Sequence, residues 1–345
     1  MRGKTYSPGT AAFSLLEMLV AMTILLAIIG LSAAMLNTIE QGWTRIRSRT
    51  MEFRDARAAF ETIANRLSQA RIDTYWDYEM NNNGLPESYQ KASHLHFVAG
   101  PASSLVPETF AKGEGHAVFF QAPFGMSRDN NLKGLSSLMN GWGYFTGYGS
   151  NENWQPQFLK GKKIIPERFR YRLFEYHLPT ERLRLHSDTV DGIFDYEWIY
   201  DQIEVGTVSI LAENVIAFVV QPTEAVSGTQ SNKIAENYRF DSRAFDISPG
   251  ESNAERAKHE VPPIIRLTMV VVAEADFAKI QKGTGVPTEL QIQSIAPFEK
   301  AKDYETDIKA LEKHLQEQRI DYRVFTTAIS MRSAKFTGEI GGGTP

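Results

Sequence analysis

Four groups of side chains in this chain have types and spacings that could do chemistry. The first is a single carboxylate: Glu17 is the only ionisable residue among the twenty-four mostly apolar positions from Phe13 to Leu36. A charge at the centre of a bilayer costs about 2.5–3.5 kcal/mol, so Glu17 requires a watery boundary or a cationic partner. Its place at the start of the stretch offers one such partner, the positive end of a helix dipole. The second group is His94 and His96, which alternate along an expected strand and could chelate a metal. No third ligand is placed by spacing, so the pair reads as part of an ordinary strand. The third is Asp188, Asp191, Asp195 and Glu197 around Gly192, oxygen donors of the kind calcium takes. They lack the EF-hand order and read instead as a solvated hairpin turn between Leu185 and Ile193.

The fourth group is the aromatic and glycine-rich run Gly141 to Gly149, continued by Asn151 to Trp154. Aromatics supply contact area and glycines permit unusual turns, so Trp142, Tyr144, Phe145, Tyr148 and Trp154 are candidate contacts to a protein or glycan. The same residues would also suit an aromatic loop folded against its own sheet. No catalytic residue, metal ligand or cofactor site is assigned. The chain carries no Gly-x-Ser-x-Gly elbow, phosphate loop, dinucleotide fingerprint or His-Glu-x-x-His pair.

These residues must be positioned by larger elements. At about 1.5 Å rise per residue, Phe13–Leu36 as a helix reaches roughly 36 Å and crosses a hydrocarbon core of about 30 Å. The short basic leader before it holds Arg2 and Lys4. Beyond it, apolar or small residues continue at helical spacing through Ile39, Trp43, Ile46, Thr50, Phe53, Ala56, Phe60, Ile63, Leu67 and Ala70, with Arg45, Arg47, Arg49, Arg54, Arg57 and Arg66 between them. No proline interrupts Phe13 to Arg71. The pattern predicts one helix of nearly sixty residues, divided into a leader (1–12), a transmembrane segment (13–36) and a continuation (37–72), followed by a head (73–345).

The order Ala12-Phe13-Ser14-Leu15-Leu16-Glu17-Met18-Leu19-Val20 resembles the type III signal of type IV pilins and pseudopilins. The resemblance implies that prepilin peptidase cuts between Ala12 and Phe13 and methylates the new amine. It also implies that Glu17, fifth in the mature chain, pairs with the N-terminal amine of a neighbouring subunit. The family usually has Gly before the cut, where this chain has Ala12. Two other readings of the same stretch stand beside it: a secretory signal peptide cut after Ser32-Ala33-Ala34, and a plain single-pass anchor. More Arg follows the span than precedes it, which by itself argues for an outside N-terminus. Long domains translocate largely regardless of charge, however, and the pilin resemblance favours a cytoplasmic leader with the head in the periplasm.

The whole chain has 42% hydrophobic and 23% charged residues, ordinary values for a folded protein. With no cysteine, neither disulfides nor thiolate metal sites are available. A net charge of −4 leaves no electrostatic footprint for nucleic acid. Strands are expected at Leu95–Ala99, Ala117–Ala122, Arg168–His177, Ile193–Tyr200, Val215–Gln221, Ile264–Ala273 and Tyr322–Met331, and an amphipathic helix between Phe298 and Arg319. The fold class is therefore α+β, a long N-terminal helix on a largely antiparallel sheet.

The late segments Asn214 to Phe218 and Pro263 to Leu267 resemble the paired strands of the minor pseudopilin J of type II secretion. Thr74 to Tyr78, Leu95 to Gly100 and Tyr322 to Thr327 are similar to the Verru_Chthon cassette protein C family, bacterial pilin-like proteins of unassigned function. The functional expectation is a non-enzymatic pilin-like subunit of an envelope filament or secretion-type machine, set in the inner membrane. Its partners would be prepilin peptidase, other pilin-like subunits and a cargo protein or glycan. The alternative is a membrane-anchored binding protein that uses the Gly141–Trp154 region.

Overall fold

The computed structural model describes residues 14–81, 83–107, 112–156, 158, 166–183, 197–200, 202–204, 206–224, 234–243 and 258–335, without the side chains of 37, 38, 40–50, 112, 113, 153, 197 and 200. The chain forms two compact units, one up to Met51 and one from Glu52 onward. Ala56, Phe60, Ile63 and Leu67, in the last turns of the long helix, belong to the core of the second unit.

The described part of the first unit is helix from Leu15 onward. Helix α1 spans Leu15–Leu67 and so continues from this unit into the second. Within it, Leu15–Leu36 is long and apolar enough to cross a membrane, and none of it is buried. The uninterrupted apolar run and the absence of proline explain the long helix. It ends at Leu67, short of residue 72, with Ser68 and Gln69 closing the last turn through bonds to Ala64 and Arg66.

The second unit is α+β, with every strand pairing antiparallel. Strands β1 (Tyr75–Met80) and β2 (Pro86–Ala92) form a separate hairpin. A six-stranded sheet has the order β7-β6-β5-β4-β3-β9, from Val208–Glu213, Phe169–Leu178, Met139–Ser150, Lys112–Pro123, Val98–Pro101 and Phe240–Asp241. A three-stranded sheet is ordered β11-β10-β8, from Tyr322–Ser330, Ile264–Val272 and Val215–Thr223. The last turns of α1, one face of the large sheet and one face of the small sheet share a single core that includes Ile63, Phe120, Tyr144, Phe218 and Leu267. A second core lies on the other face of the small sheet, where Leu311 and Leu315 of the helix Tyr304–Glu317 pack with Val270 and Val272. A third covers the opposite face of the large sheet and contains Phe119, Phe145, Tyr176 and Trp198.

Most expected strands are present with shifted ends, and the late amphipathic helix lies inside its expected range. Two expectations fail. Residues 95–97 stay outside the ladder, because the N–H groups of His96 and Phe97 donate to the side chains of Gln121 and Ser242. Glu197–Tyr200, expected as strand, is a helical turn. It buries the consecutive residues Trp198 and Ile199 against the large sheet, and the Tyr176 hydroxyl donates to the Trp198 carbonyl at 2.5 Å.

Candidate functional site

The start of α1 is built around Glu17. Ser14 precedes the first helical residue; its N–H donates to Glu17 Oε2 at 3.0 Å, and its Oγ accepts the Glu17 N–H at 3.2 Å. This reciprocal pair is a capping box, which satisfies two backbone donors that a helix N-terminus leaves open. Glu17 therefore has an intrachain role in addition to any intermolecular one. Farther along, the Thr23 hydroxyl donates to the Val20 carbonyl at 2.8 Å, an internal satisfaction that suits a helix in hydrocarbon. The large apolar side chains are uncovered, from Leu15 and Leu16 to Met35 and Leu36. Ala12 and Phe13, the expected processing residues, lie outside the described residues.

The aromatic–glycine run is not an exposed loop. It forms β5, at the middle of the six-stranded sheet, and Trp142, Tyr144, Phe145 and Tyr148 are buried. Trp142 and Tyr144 face α1. Arg66 of that helix sits 4.6 Å over the Trp142 ring and forms an ion pair with Glu175. The Trp142 indole N–H and the Tyr144 hydroxyl also donate to Glu175, at 3.2 and 3.1 Å. Burial, reinforced by the Glu175 charge, pushes the Tyr144 phenol well above its ordinary value, so it remains a donor. Phe145 packs on Phe174, while Trp154, half-buried, packs on the same ring at 5.5 Å. Tyr148 donates to the Gly285 carbonyl at 2.7 Å. These five side chains make contacts within the second unit, as the reading of an aromatic segment folded against its own sheet expects.

The histidines are likewise engaged locally. His94 Nδ1 lies 3.1 Å from Asp73 Oδ2, and its Nε2 lies 3.1 Å from the Tyr75 hydroxyl. His96 accepts the Trp198 indole N–H at Nδ1 (3.1 Å), which assigns its own proton to Nε2, 2.7 Å from Asp241. Both rings spend their nitrogens on different partners. Ser93 Oγ lies 3.0 Å from His259 Nδ1 and donates to the Leu95 carbonyl. Burial, with Lys258, Arg243 and Lys91 nearby, pushes His259 down to about 4. Among the described residues no carboxylate is recorded in a hydrogen bond with this ring. Asp188, Asp191, Asp195 and the Glu197 side chain lie outside the described residues.

The exposed aromatic surface is elsewhere, on the β1–β2 hairpin. Register places Trp76 opposite Lys91, Tyr78 opposite Tyr89 and Met80 opposite Pro86 on one face. Asp77 and Glu79, opposite Gln90 and Ser88, occupy the other. Trp76, Tyr78, Met80 and Tyr89 are exposed by 68%, 48%, 56% and 65%. The Tyr78 and Tyr89 rings lie 4.8 Å apart. The sequence signal was present: Trp76, Tyr78 and Met80 alternate with Asp77 and Glu79 before an Asn-rich turn in which Gly84 has φ +72°. Comparison with known protein families, curated proteins and solved structures finds no match to this chain.

Proposed function

We propose that this chain is a non-enzymatic pilin-like subunit, held in the inner membrane by its apolar helix and assembled laterally with related subunits. Its leader is cytoplasmic and its head periplasmic. The observation that carries this reading is the bare Leu15–Leu36 segment, whose apolar side chains the chain itself leaves uncovered. A continuous helix bearing such a stripe is suited to lipid and to neighbouring helices of the same kind. The order of residues from Ala12 to Val20 supports the pilin-like form of the proposal and prepilin peptidase as the processing partner. Against the anchored-binder alternative, four of the five residues assigned to its ligand are buried and Trp154 is half-buried.

Mass measurement of the protein purified from membranes tests this directly. The expected N-terminus is Phe13, methylated. A soluble product that begins at Met35 would overturn both the anchor and the assembly role.

Glu17 permits a sharper test because its two roles separate by substitution. Glu17→Gln keeps a side-chain acceptor for the capping box while removing the charge, whereas Ser14→Ala opens the box, at a cost of about 1 kcal/mol to the helix start, and keeps the charge. If Glu17 pairs with a neighbour's ammonium, Glu17→Gln abolishes co-purification of partner subunits and Ser14→Ala leaves it largely intact. The reverse pattern would assign Glu17 to capping alone.

A further inference from the structure

The residues that leave α1, the end of β4 and the segment that follows β11 border a cleft of about 440 Å³ in the second unit. Three cations line it, Arg71, Arg332 and Lys335, and among the described residues no acid does. We infer that this cleft binds a small organic molecule through a phosphomonoester group. The inference goes beyond the proposed assembly and does not depend on it.

Backbone bonds fix the walls of the cleft. The Arg71 N–H donates to the Gln121 carbonyl of β4 at 2.9 Å, the Arg332 N–H to the Ser68 carbonyl at 3.3 Å, and the Ser333 hydroxyl to the Ala70 carbonyl at 2.5 Å. None of these bonds uses a cationic side chain. Among the described residues, the side chains of Arg71, Arg332 and Lys335 enter no hydrogen bond or ion pair.

Basic residues beyond a helix often serve its last carbonyls. Here those carbonyls already have donors. Ala64, Arg66 and Leu67 accept the N–H groups of Ser68, Gln69 and Ala70 at 3.1, 3.0 and 3.0 Å, and Asn65 accepts the Ser68 hydroxyl at 2.8 Å and the Gln69 amide at 3.1 Å. Asp73, two positions from Arg71, is committed as well. It accepts the N–H groups of His94 and Leu95 at 3.0 and 2.9 Å and lies 3.1 Å from His94 Nδ1. Three like charges around one cleft repel, and an anion between them relieves the repulsion.

Charge and shape select the ligand. Two guanidinium forks and an ammonium suit a dianionic phosphomonoester better than a single carboxylate, because each fork can take two phosphate oxygens at once. A bare phosphate ion would fill little of the cleft, since pockets for whole small molecules start at about 300 Å³. Ile72, Pro123 and Ala334 supply an apolar wall for the rest of the ligand.

Two probes carry this group on glycerol and differ in source: soluble glycerol phosphate, and dihexanoyl phosphatidic acid, a lipid headgroup on short chains. Equilibrium binding is measured with the full chain in an uncharged detergent at about pH 7.5, where a phosphomonoester is mostly a dianion. At least one probe should bind saturably. Arg71→Gln and Arg332→Gln, both at exposed positions, should each weaken that binding about tenfold, the loss expected of one charge-assisted bond. Lys313→Gln, which removes an exposed cation from the helix Tyr304–Glu317, should leave it unchanged. Binding of glycerol phosphate assigns a soluble ligand, and binding of the lipid alone, with the same dependence on both arginines, assigns a headgroup; either supports the inference. No binding of either probe, or binding that either arginine substitution leaves unchanged, overturns it. Succinate bound as tightly as the better phosphate probe would also overturn it, by making the cleft a site for any dianion.

Discussion

Gly143→Ala is expected to destabilise the second unit by about 3 kcal/mol, the upper part of the range for overpacking a filled core. Gly143 lies in β5 on the side away from α1, where a Cβ would sit 2.2 Å from Phe119 Cδ1. Phe119 is fully buried and held by Phe145, Tyr176 and Trp198, so its ring has no free space to enter. Two other glycines of the same strand calibrate the effect. At Gly141 the nearest atoms to a new Cβ are Leu178 Cβ at 3.0 Å and Trp198 at 3.3 Å, which predicts a smaller loss. At Gly149 nothing lies within 4 Å, so alanine should be neutral or slightly stabilising by restricting the unfolded chain. Denaturant titration of the three variants should rank them 143, 141, 149 in order of damage. Equal effects would mean that the glycines matter for backbone freedom, not for the space they leave.

The same strand explains why part of the fold was hidden in the sequence. Glycine disfavours strands, so Gly141-Trp142-Gly143-Tyr144 reads as a loop by propensity although it has the period of two that a strand requires. The small residues make room for Phe119 and Trp198, which come from β4 and from a distant turn, and nothing local to β5 announces them. The strands β4, β6, β8, β10 and β11 were legible because β-branched and aromatic residues carry both the propensity and the burial signal. Glu197–Tyr200 misled for the converse reason: its apolar residues suit a strand, and packing on the large sheet selects a helical turn.

At the candidate site, the apolar helix and its carboxylate were fully legible, since an unbroken hydrophobic stretch depends on no tertiary contact. The capping box was also written in the spacing of Ser14 and Glu17. The exposed hairpin face escaped notice because its alternation resembles that of a strand covered by its own core. In the structure Trp76, Tyr78 and Tyr89 are exposed.

The stability of the second unit is expected to fall steeply as pH drops from about 6.5 to 4, and His116 supplies much of the slope. Its ring is buried between the two sheets, where Nδ1 accepts the Val220 N–H at 3.1 Å and Nε2 faces the Phe298 carbonyl at 3.2 Å. The Val220 bond fixes the neutral tautomer with hydrogen on Nε2, so a second proton at Nδ1 must displace it. Burial pushes this imidazole down to about 4. An unfolded chain protonates the same ring near 6.5, so between the two values the unfolded state holds more protons and stability rises with pH. The full contribution is present above about 6.5 and is lost on acidification through the window, amounting to roughly 3 kcal/mol near pH 4. His259, also pushed down to about 4, acts in the same direction. Urea unfolding of the full chain in detergent at pH 7, 5.5 and 4.5 measures the slope. His116→Gln, which retains an acceptor for Val220 and a donor for Phe298 without a titratable group, should flatten it even if it lowers stability at pH 7. An unchanged slope in that variant would show that the acid sensitivity arises at other groups.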